Sequence, residues 1–107
     1  MIEKQMIRLM LNKKFYTQYK GTLSSTVFSG DVSSLYDTIQ KAHDKYENDI
    51  KIDELYSLHT TIFNPALTRA AKEKFSELVE DIEFKIPDSF QSIYSNEKAM
   101  RWLSNNN

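Results

Sequence analysis

The stretch from Phe28 to Leu55, FSGDVSSLYDTIQKAHDKYENDIKIDEL, constrains the fold more than any other part of this chain. Val32, Leu35, Tyr36, Ile39, Ala42 or His43, and Tyr46 recur at three- and four-residue spacing, which puts them on one face of a helix about four turns long. Ser, Thr, Gln, Lys and Asp occupy the opposite face. The polar turn Glu47-Asn48-Asp49 follows, then Ile50 and Ile52 around Lys51, and then a second helix start with Asp53 as its expected cap. Apolar periodicity is helical almost everywhere else, and two glycines and two prolines are too few for a sheet domain of many tight turns. The expected fold class is all-α.

Five helices and a projecting sixth follow from this reading. The first is expected over 2–12, with Ile2, Met6, Leu9 and Met10 inward, and Lys13 and Lys14 suit its C-terminal dipole. Phe15, Tyr16 and Tyr19 form a short second element that Gly21 can end. The connector from Thr22 to Ser29 carries Leu23, Val27 and Phe28, which are too apolar for a solvated loop and are expected to pin it to the core. The third helix is expected over 31–47 with Ser29 or Asp31 as cap, and the fourth over 53–63 through Leu55, Leu58 and Ile62. Asn64-Pro65 reads as cap and first position of a fifth helix over 65–82, with Leu67, Ala70 or Ala71, Phe75, Leu78, Val79 and Ile82 along one stripe. Glu83 to Ile86 break that periodicity, and Pro87-Asp88-Ser89 opens a last helix near 88–103. The expected core contains Met6, Leu9, Leu35, Ile39, Leu55, Leu58, Phe75 and Leu78. The expected organisation is a compact head over 1–86 and a C-terminal helix within 87–107, the first half of a helical hairpin.

At 107 residues the chain is the size of one domain, able to bury roughly 60–70% of the surface its unfolded form exposes. Lys plus Arg number 14 against 15 Asp plus Glu, a net charge of −1, so nothing global attracts nucleic acid or anionic lipid, and DNA contact by this domain alone is disfavoured. The absence of cysteine removes disulfides, thiolate chemistry and cysteine-based zinc sites and suits a reducing cytosol. No apolar run approaches the roughly 18 residues of a membrane span, and the N-terminus lacks a signal layout. No membrane association is expected, and the cytoplasm is the expected compartment.

Candidate chemistry is sparse. Glu80, Asp81 and Glu83 could suggest a divalent-cation site or an acid/base pair, but no second cluster completes an oxygen cage and a solvated helix face explains them better. His43 and His59 lack a Ser or Cys nucleophile in a strained turn and read as surface or boundary histidines. Neither glycine-rich phosphate loop, Gly-x-x-x-x-Gly-Lys-Ser/Thr or Gly-x-Gly-x-x-Gly, occurs, so the chain is no ATPase motor. Lys13, Lys14 and Lys20 interleave with Phe15, Tyr16 and Tyr19 like a single-strand grip, yet aromatics at helical spacing more often face a core. No catalytic residue, cofactor or metal is assigned. The apolar face of the last helix, with Phe90, Ile93, Tyr94, Met100 and Leu103, lacks a returning partner helix, and the expected protein interface is Phe90, Tyr94, Met100 and Trp102.

Taken in order, four phrases resemble the N-terminal domain of DnaB-type replicative helicases, especially those of T-even-like phages. They are Leu9-Met10-Leu11-Asn12 with Phe15-Tyr16, Val27-Phe28-Ser29-Gly30, Leu35-Tyr36-Asp37-Thr38-Ile39, and Ile52-Asp53-Glu54-Leu55. The similarity spans roughly Ile2 to Ile82, and Phe90 to Leu103 would correspond to the start of the hairpin after the head. The resemblance implies a collar that supports ring assembly, self-associates, and docks primase or a helicase loader in DNA replication, in a bacterial or phage-infected cell. ATP hydrolysis would belong to a motor outside these residues. The alternative is a small stand-alone helical regulator that binds a host replication or transcription factor.

Overall fold

The computed structural model describes residues 2–21 and 27–85. Five α-helices carry these residues and no strand occurs among them: α1 (Ile2–Met10), α2 (Lys13–Tyr19), α3 (Gly30–Lys45), α4 (Ile52–Ser57) and α5 (Arg69–Lys85). A six-residue π-helical turn, Leu58–Phe63, continues α4. The fold is all-α, as the periodicity requires. The helix expected near 88–103 lies outside the described residues.

α1 is the axis of the head and touches α2, α3 and α5. Its apolar positions extend beyond one stripe: Met6, Ile7, Leu9, Met10 and Leu11 are all buried, and so is Arg8. Ile7 and Leu11 therefore join the core that periodicity assigned to Met6, Leu9 and Met10, because a helix enclosed by neighbours hides more than one face. Across it, α3 buries Leu35, Tyr36, Thr38, Ile39, Ala42 and His43, with Phe28 against Tyr36 at 4.9 Å between ring centroids. α4 adds Leu55, the π turn adds Leu58, and α5 closes the core with Phe75, Val79 and Ile82. Leu78 is only half-buried, packed against this core from its edge. Each fully buried aliphatic side chain contributes about 1.5–3 kcal/mol relative to exposure.

Helix ends depart from the sequence reading where tertiary contacts use up the capping groups. Ser29 is the residue before α3, yet its hydroxyl does not cap the helix; its amide and hydroxyl both reach the Glu3 carboxylate, at 2.7 and 3.2 Å. This ties the starts of α1 and α3 together. The left-handed backbone expected at Gly21 occurs instead at Gly30, with φ 54°, where an L side chain would be strained. α3 stops at Lys45, so Tyr46 turns outward and is 40% exposed. α4 starts at Ile52 after Lys51, one residue before the expected cap Asp53.

Asn64-Pro65 does not start α5. The Asn64 amide donates to the His59 carbonyl at 2.9 Å, closing the π turn, and Thr68 Oγ1 receives the Ala71 amide at 3.2 Å in front of Arg69. Leu67 consequently precedes α5, Ala70 is exposed and Ala71 half-buried. At its other end α5 runs through Glu83 to Lys85, where the periodicity suggested a break. Lys85 and Lys4 both reach Asp81, at 3.0 and 2.6 Å, and hold that last stretch helical against α1.

Candidate functional site

Both histidines are buried, His43 at 3% and His59 at 2% exposure, which corrects their reading as surface or boundary residues. His43 sits on the apolar face of α3, where it alternates with Ala42 in the stripe. His59 follows Leu55 by four residues and so shares its inward face even in a regular α-helix, while the π turn brings Thr60 inward as well and leaves Ile62 48% exposed.

Around His59, Thr38 Oγ1 lies 2.7 Å and Asn64 Nδ2 3.3 Å from Nδ1. The Asn64 amide nitrogen can only donate, so Nδ1 is the acceptor and the ring proton rests on Nε2, which is buried without a hydrogen-bond partner. The ring packs 4.1 Å from that of Phe75. Burial lowers the His59 pKa below its ordinary value, with Lys41 acting in the same direction and Asp31 against it. The Thr38 hydroxyl, itself 2% exposed, has no route to a substrate, so this pair packs and orients rather than reacts.

Around His43, Nε2 lies 2.7 Å from the Met10 carbonyl and the ring stacks on Tyr16 at 4.4 Å. Lys13 Nζ donates to the carbonyl of His43 and, at 3.0 Å, to that of Tyr46, capping the C-terminus of α3. The Asp49 carboxylate takes the Lys13 amide at 2.7 Å, and the Ile50 amide reaches the Leu11 carbonyl at 2.9 Å. The lysines and aromatics near the start of α2 thus divide as expected of a core helix. Phe15, Tyr16 and Tyr19 are buried, while Lys14 and Lys20 remain exposed.

Surface concavities lined by described residues include the following two. A cleft of about 340 Å³ lies between the end of α1, the 49–53 turn and the end of α5, where Arg8 and Lys51 face Asp49, Asp53 and Glu83. A smaller one of about 260 Å³ lies where the starts of α3 and α5 meet, beside Asp31, Thr68, Lys74 and Phe75. Both mix signs of charge, so neither selects a ligand by electrostatics. Asp81 is engaged with Lys4 and Lys85, Glu80 is exposed and Glu83 lines the larger cleft, so the three do not converge. No group of three acidic or histidine side chains is placed to hold a metal among the described residues.

Phe90, Tyr94, Met100 and Trp102, the expected interface, lie outside the described residues. Within them the most exposed large apolar side chain is Phe84, 78% exposed in the last turn of α5. Phe84 falls where the apolar periodicity breaks, so the sequence pattern alone does not mark it. Among the described residues no helix is long and apolar enough to cross a membrane. No family model, no curated protein and no solved structure matches this chain.

Proposed function

We propose that this chain is the N-terminal collar and interaction domain of a DnaB-type, phage-like replicative DNA helicase, supporting ring assembly and docking primase or a helicase loader. One observation supports the reading. The phrases that carry the resemblance all contribute to the core: Leu9, Met10, Leu11, Phe15 and Tyr16 from the first, Phe28 from the second, Leu35, Tyr36 and Ile39 from the third, and Leu55 from the fourth are all buried in it. The phrases therefore act as one packing unit in a helical head. Function follows from this only through the family, since a fold alone does not specify an activity.

Reading the gene beyond Asn107 is the direct test. A P-loop motor in the same frame supports the collar. A stop codon there, with no capture of primase or loader by the purified chain, favours the stand-alone regulator instead. Turnover of ATP by the purified chain would overturn the assignment of hydrolysis to a separate motor.

A further inference from the structure

α2 has seven residues, too few for a helix to persist without tertiary support. That support converges on His43. Its Nε2 binds the Met10 carbonyl of α1, its ring face carries Tyr16 of α2, and its carbonyl receives Lys13 Nζ from α2. A carbonyl only accepts, so Nε2 holds the ring proton and Nδ1 presents a lone pair, buried and without a partner. The charged groups acting on the ring are Lys13 from α2, Asp44 from α3 and Asp49 from the following turn, while α1 contributes the Met10 carbonyl.

A proton taken from solvent at Nδ1 would create a cation inside this junction, with a new N–H that has no acceptor. Asp44, Asp49 and the Tyr16 ring face favour that cation; burial and the Lys13 ammonium oppose it. Burial is the largest of these influences, and the net effect is a pKa below the ordinary 6.5. Releasing α2 lets water reach both His43 and Lys13. Phe15, Tyr16 and Tyr19 of α2 belong to the same core as Leu35, Ile39, Leu55 and Ile82, but those last four, all at 0% exposure, are carried by α3, α4 and α5.

We infer that His43 is a protonation-sensitive latch: its neutral ring holds α2 on the α1–α3 junction, and its protonation frees α2 and uncovers Phe15, Tyr16 and Tyr19 while the rest of the head stays folded. Because the folded state disfavours the proton, the latch is closed above pH 6.5 and loosens as pH falls below it.

The test is nuclear magnetic resonance of the full chain from about pH 7.5 to about pH 5, following the His43 ring and backbone amide exchange. The expected result is that amides from Tyr16 to Lys20 lose protection several-fold in step with His43 titration, while those of α3 and α5 keep theirs. His43→Gln supplies an uncharged donor near Nε2 and should remove the pH dependence, whereas His59→Asn should retain it. Simultaneous loss of protection in α2 and α5, a constant α2 while His43 titrates, or an unchanged pH dependence in His43→Gln would each overturn the latch. Should His43→Gln fail to fold, the comparison of α2 with α5 in the native chain decides.

Discussion

Thr38 Oγ1 lies 2.7 Å from His59 Nδ1, so a hydroxyl on the face of α3 that reads as polar joins the π turn 21 residues later inside the core. Replacing Thr38 by Val keeps the shape and removes the donor, leaving the ring nitrogen to the longer Asn64 contact. The expected loss is about 1–2 kcal/mol in urea unfolding, with Thr38→Ser retaining most of the stability. Equal stability of Thr38→Val and wild type would mean that the hydrogen bond contributes nothing net.

Tyr36 presents the opposite case. Its side chain is fully buried and its Oη has no hydrogen-bond partner, and burial, ahead of Tyr16 and Asp37 nearby, pushes the phenol well above its ordinary pKa. Deleting this hydroxyl removes a desolvated polar group without unpairing another. Tyr36→Phe should therefore be neutral or stabilising by up to about 1 kcal/mol, readable as an unchanged or raised melting temperature. A clear fall would reveal a partner for the hydroxyl.

Leu55, Leu58 and Ile62 show how far the sequence could be read. Their spacing fits a continuous α-helix, and the first two are buried as expected. Ile62 is not, because the π turn rotates it outward, and that turn is stabilised by Asn64 binding the His59 carbonyl, a contact without a periodic signature. The same contact removed Asn64 as a cap and moved the start of α5 to Arg69. Local patterns specify which residues prefer burial; competition between two plausible caps is settled by side-chain contacts, such as Asn64 with the His59 carbonyl, that the periodicity does not encode. Ile62→Lys should accordingly change stability by less than about 0.5 kcal/mol, while Leu55→Ala costs about 2–5 kcal/mol. Comparable losses in the two variants would indicate an unbroken α-helix through Phe63.

Asp81 links α5 to α1 through Lys4 at 2.6 Å. The hydrogen bonds from Lys4 and then Lys85 hold its carboxyl below the ordinary value of 3.8, against a smaller opposing effect of burial. Since the unfolded chain binds that proton more readily, the contribution is present above pH 3.8 and is lost as pH falls through the lower folded value. The stability gap between wild type and Asp81→Asn should narrow as pH drops below that range, and it should shrink in high salt because both partners are partly exposed. A gap independent of pH and salt would assign Asp81 a packing role instead.

Phe84 is 78% exposed in the last turn of α5, and the sequence continues from it through Phe90, Ile93, Tyr94, Met100 and Trp102. An exposed aromatic at the end of the described head therefore begins the apolar series proposed to mediate self-association. Aromatic and methionine side chains supply large contact area per residue, so the collar reading proposed above carries the expectation of weak self-association through them. Sedimentation over a concentration series should show mass rising with concentration, and Phe84→Ala, Tyr94→Ala or Met100→Ala should each shift the curve toward monomer. A chain that stays monomeric at high concentration removes this interface. An association unaffected by all three substitutions places it on another face of the head.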